Sequence, residues 1–92
     1  MIIVSRHSGA VEWLRRQGIV GDVLSHVTDV AQIAGQRVVG ALPLHLAVHA
    51  AAVGSISMPA LRPEQRGRDL TPAEMDAAGA AIQWYVVTTE SR

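Results

Sequence analysis

The chain has 92 residues, 49% apolar and 17% charged, with eight basic and eight acidic residues and a net charge of zero. A chain of this length supports one core, with self-association a natural route to extra stability, so a single domain over residues 1–92 is expected. Zero net charge argues against a binder of duplex nucleic acid, and the absence of cysteine removes disulfides, thiolate metal sites and a cysteine nucleophile.

Residues 2–5 form a β-branched apolar run, the pattern of a strand covered on both faces. A loop through Arg6-His7-Ser8 leads into a helix over about residues 9–17, with Ser8 as its N-cap, Ala10, Val11 and Leu14 on one face, and Gly18 as its stop. Residues 23–27 read as a second strand, followed by a short helix that Asp29 caps and Gly35 ends. Residues 38–42 are a third apolar run, after which Pro43 opens a helix reaching about Val53, closed by Gly54. Residues 55–58 form a short fourth strand. Residues 59–70 are turn-rich, carry Arg62, Arg66, Gly67 and Arg68, and exceed the usual connection length of a small domain. Thr71-Pro72-Ala73-Glu74 is a capping box with proline at the first helical position. Met75, Ala78, Ile82 and Tyr85 then share one stripe. Residues 84–88 either end this helix or begin a fifth strand; the stripe favours a helix to about Trp84.

Strands alternate with helices and no hairpin signal interrupts them, so the expected fold is α/β: a small Rossmann-like, three-layer domain with a mainly parallel sheet of about four strands. In the common order 3-2-1-4 the topological switch point falls between the first and fourth strands, where ligands bind beyond the strands' carboxyl ends. That order brings the Arg6-His7 loop beside Arg66-Gly67-Arg68. The opening apolar residues are too few for a signal peptide, and the longest apolar stretch, residues 42–53, is broken by Pro43, His45 and His49. A cytoplasmic protein without a membrane span is therefore expected.

All eight basic residues are arginine, a planar fork suited to phosphate, although a GC-rich genome produces the same bias. In Ser5-Arg6-His7-Ser8-Gly9, helix-terminal amides, two hydroxyls, a guanidinium and an imidazole follow a buried strand within five residues, which describes an anion site. The competing reading is a capped turn with a solvated arginine. The glycines and lysine of a Walker loop or dinucleotide fingerprint are missing. His45 and His49 stand four apart on a predicted helix, a spacing that can hold a metal, but no third ligand accompanies them, and surface histidines fit better. His26 falls within a predicted strand and reads as a hydrogen-bonded sheet residue. Trp13 suits core packing, with stacking on a nucleobase as the alternative. Glu64 and Asp69 offer local ion pairing to the arginines around them.

Ser5-Arg6-His7, Gly9-Ala10 leading to Glu12-Trp13-Leu14, Gly40-Ala41-Leu42-Pro43 and Arg66-Gly67-Arg68-Asp69-Leu70 together resemble a family of very small CRISPR-associated proteins of type III systems. The likeness runs from residue 2 to about 82 and lies in the order and spacing of the blocks. Alanine at position 41 departs from the pattern by lacking a hydroxyl. The resemblance implies a ring nuclease: a homodimer with a CARF-like fold that cuts cyclic tetra-adenylate into linear products and switches off antiviral signalling. It implies attack of a ribose 2′-hydroxyl on the adjacent phosphate, with no cofactor or metal.

The roles expected under that reading are distributed over few residues. Arg6, the amides around Ser8 and Gly9, and Arg66 or Arg68 would bind and stabilise phosphate, with Arg6 and Arg66 placed among the catalytic residues. His7 would be the acid or base, and Ser5 would orient the loop or a ribose. Pro43 and Gly67 complete the expected ligand-binding set. A protein that binds the cyclic nucleotide without cutting it, as a sensor or sponge, is the main alternative. A structural interaction protein and a metal-dependent hydrolase using His45 and His49 stand further off.

Overall fold

The computed structural model describes residues 1–90. Five strands, β1 (Ile2–Val4), β2 (Asp22–Leu24), β3 (Arg37–Gly40), β4 (Ala52–Ser57) and β5 (Ala81–Tyr85), form one sheet in the order β2-β1-β3-β4-β5. The first four run parallel, with Val4 opposite both Leu24 and Gly40. β5 pairs antiparallel with β4, Ile56 facing Ile82. Three helices, α1 (Ser8–Arg16), α2 (Leu44–Ala47) and α3 (Pro72–Ala77), and two 3₁₀ turns, Val30–Gln32 and Pro63–Gln65, make the connections.

The period-two alternation of strand side chains divides the core in two. Ile2, Val38 and Val53 join Ile33, Ala47 and Ala50 on one face, under α2 and the first 3₁₀ turn. Ile3 and Val39 meet Trp13, Leu14, Leu70 and Met75 on the other, under α1 and α3. Val38, Val39 and Ile33 are wholly buried, each such side chain stabilising the fold by roughly 1.5–3 kcal/mol. The result is the expected three-layer, Rossmann-like α/β architecture.

The strand order differs from 3-2-1-4. β3 returns to the free side of β1, so the chain reverses direction across the sheet between β1 and β3, and β4 does not neighbour β1. The physical reason lies in which face each crossover covers: right-handed connections carry α1 over one face toward β2, and the first 3₁₀ turn and α2 over the other.

Two helices are shorter than their sequence patterns. α2 stops at Ala47 instead of about Val53, because the following residues are drawn into backbone bonds at the start of β3. The Gly35 N–H donates to the His49 carbonyl at 2.9 Å and the Ala51 N–H to the Gln36 carbonyl at 2.8 Å. Gly54 is accordingly a strand residue. α3 ends at Ala77, not near Trp84: Gly79 takes φ +76, its N–H bonds the Asp76 carbonyl, and the Ala80 N–H bonds the Met75 carbonyl, both at 3.0 Å. This paired closure is a Schellman stop. The stripe therefore belongs to two elements, Met75 and Ala78 to the helix and its cap, Ile82 and Tyr85 to β5.

Candidate functional site

A cavity of about 620 Å³ opens at the carboxyl ends of the parallel strands, centred on the β1/β3 reversal. This is the switch-point position at which open α/β sheets bind ligands. Its floor is apolar, with Leu14, Val39, Ile56 and Met58, and its rim carries Ser5, Arg6, His7, Ser25 and His26. Gly40 holds the two central strands together beneath it. A Cβ there would overlap the Val4 carbonyl, and its φ of +138° is one that side-chain-bearing residues rarely adopt.

The rim loop is shaped locally. Ser5 extends the sheet by donating its N–H to the Leu24 carbonyl at 2.9 Å. Its hydroxyl oxygen then accepts the His7 N–H at 3.1 Å, a turn that lifts Arg6 and His7 into solvent. The same turn borders a second groove of about 520 Å³, shared with Glu12 and Arg15 of α1 and Val23 of β2.

The N-terminus of α1 differs from expectation. His7, not Ser8, is the N-cap and makes no side-chain cap bond. The partner comes from sixty residues away: Asp69 accepts the Gly9 N–H at 3.2 Å through Oδ1 and the Ser8 hydroxyl at 3.1 Å through Oδ2. A carboxylate thus already occupies the helix terminus, where the macrodipole favours it. This corrects the expectation that the Gly9 amide and Ser8 hydroxyl stand open to phosphate. Gly9 permits the contact, since a Cβ would overlap the Leu70 carbonyl.

Asp69 also ties residues 66–68 to the amino end of α1, although Arg66, Gly67 and Arg68 do not line the cavity. Arg68 bonds Glu74 in a 2.6 Å ion pair. The bond that Glu74 accepts from the Thr71 backbone at 3.0 Å, with Arg68 beside it, holds the Glu74 carboxyl below the usual glutamate range. Arg15 and Arg16 pair with Glu12, Arg62 with Glu64, and Arg37 lies 4.0 Å over the Trp84 ring. Among the described residues only Arg6 and Arg66 are arginines without an acidic or aromatic partner.

Pro43 lies on the cavity wall, as N-cap of α2. His45 and His49 are both exposed, but α2 ends between them, so they do not share a helical face. Among the described residues no group of three or more His, Asp or Glu side chains is arranged to hold a metal ion. Trp13 is a core residue, 3% exposed, with its indole N–H donated to Asp76 at 2.8 Å. It is not available to stack on a base.

His26, expected as a hydrogen-bonded residue within a strand, lies outside β2. β2 ends at Leu24 rather than Val27, which leaves His26 exposed on the cavity rim, its Nδ1 3.1 Å from the Ser25 hydroxyl. Only the adjacency of β2 to β1 puts it there.

Fold and cleft together define a small α/β domain with a cleft at the switch point between its first and third strands. Over residues 2–88 the chain matches the family described as "Putative CRISPR-associated protein (Cas_VVA1548)", and it belongs to that family of CRISPR-associated proteins. No curated protein and no solved structure matches it.

Proposed function

We propose that this protein is a ring nuclease: it binds cyclic tetra-adenylate in the switch-point cleft and opens the ring, ending a CRISPR antiviral signal. The observation that carries the reading is that Arg6, unpaired among the described residues, and His7 both line the rim of an apolar-floored cavity of about 620 Å³. Membership of a CRISPR-associated family supports it. A two-fold homodimer would present each group twice to a ligand of four phosphates and approximate two-fold symmetry.

In the reaction a ribose 2′-oxygen attacks the adjacent phosphorus and the 5′-oxygen departs, giving a 2′,3′-cyclic phosphate and a 5′-hydroxyl. Clamping the three atoms in line contributes several kcal/mol. Arg6 stabilises the charge that builds on the phosphorane oxygens, and His7 transfers a proton. Arg66, without an acidic or aromatic partner among the described residues, stands three positions before Asp69 on the loop that Asp69 anchors, outside the lining of the cleft.

Incubation of excess protein with cyclic tri-, tetra- and hexa-adenylate in EDTA, followed by chromatography, tests this. The expected result is conversion of the tetra-adenylate ring to linear products ending in a cyclic phosphate. Recovery of every ring intact would overturn the nuclease reading; a thermal shift with intact ring would then mark a sensor or sponge.

A further inference from the structure

β1 and β2 leave the sheet side by side. Val4 pairs with Leu24, one further bond joins Ser5 to Leu24, and beyond it each chain turns into the cleft. Neighbouring strands are about 4.8 Å apart, so the exits bring His7 and His26 to the same rim. His26 is exposed, outside both core clusters, and among the described residues it forms no ion pair. Its one side-chain partner is the Ser25 hydroxyl, 3.1 Å from Nδ1. With Nδ1 engaged by the Ser25 hydroxyl, Nε2 is the ring nitrogen left to face a ligand, and an imidazole nitrogen can carry a proton to a leaving oxygen.

We infer that His26 is the general acid of the cleft, protonating the leaving 5′-oxygen while His7 accepts the proton of the 2′-hydroxyl. This rests on the ring-opening reading above. The O2′–P bond forms as the P–O5′ bond breaks, one proton passes from the 2′-hydroxyl to His7, and one passes from Nε2 of His26 to O5′. The two histidines are restored by proton exchange with water. Ser25 acts as a positioning residue, holding the ring through Nδ1.

The test compares wild type with His26→Ala and His26→Gln under single-turnover conditions. Two substrates are used: cyclic tetra-adenylate, and its analogue with sulfur in place of the bridging 5′-oxygens, whose thiolate departs without protonation. The expected loss on the oxygen substrate is on the order of 100-fold, within the range of general acid catalysis, with unchanged ligand affinity, and the sulfur substrate restores the rate. A loss below about tenfold, or a loss that sulfur leaves in place, overturns the assignment while the nuclease reading survives. A wild-type protein inert on every ring overturns both. His26 lies outside the core, so thermal melts of both variants should match wild type.

Discussion

The carboxylate of Asp69 receives the Gly9 amide at 3.2 Å across sixty residues of sequence. That contact caps α1 and anchors the arginine-bearing loop in one stroke. Asp69→Ala is expected to lower stability by about 0.5–1 kcal/mol, the cost of a lost exposed cap, and to depress Tm by about 4 °C. Asp69→Asn, which keeps an acceptor, should lose less. Chemical and thermal denaturation check both.

Gly40→Ala should be far more damaging. The new methyl group meets the Val4 carbonyl between the carboxyl ends of β3 and β1, and the backbone stays at a φ of +138°. Strain of this kind costs on the order of 1–3 kcal/mol before the overlap is relieved. A urea titration is expected to show a midpoint well below wild type, and ring cleavage should fall with it.

Arginines that are already paired should be dispensable to the proposed reaction. Arg6→Ala is expected to slow ring opening by roughly 10²–10³-fold, the scale of a removed transition-state donor. Arg16→Ala, which only frees Glu12 from a 3.6 Å surface ion pair, should remain within a few-fold of wild type. Equal rates for the two variants would remove Arg6 from the mechanism.

Stability should depend on acid through Glu74. Its carboxyl is depressed in the folded state, first by the Thr71 backbone bond and then by Arg68. Its contribution is therefore present above the unfolded glutamate value, about 4.3, and is lost as pH falls through the lower folded value. Glu74→Gln should be less stable than wild type at neutral pH, and the gap should close in acid. Denaturation midpoints across that range are the measurement; a gap that widens in acid contradicts the assignment.

Local signals were legible where local bonds decide. The Thr71-Pro72-Ala73-Glu74 box is formed as written, with Glu74 N–H on the Thr71 hydroxyl at 3.1 Å. Asp29 caps its turn, accepting the Ala31 N–H at 2.9 Å. Gly18 stops α1 at φ +81°. Position 82 was not legible in the same way, because an isoleucine four residues beyond Ala78 and seven beyond Met75 fits a helical stripe equally well after the chain has turned into a strand. The pairing of Ile82 with Ile56, which no local spacing encodes, settles it.

The candidate site divides along the same line. The sequence by itself determined that a buried strand ends in Ser5-Arg6-His7 before a helix, since a β-branched run and a following amphipathic turn are properties of neighbouring residues. Only the tertiary structure decided that β3 lies on the other side of β1, that Asp69 fills the helix terminus, and that His26 shares the rim. Each of these depends on contacts between segments far apart in the chain, and the free energy that selects them comes from burying both sheet faces together.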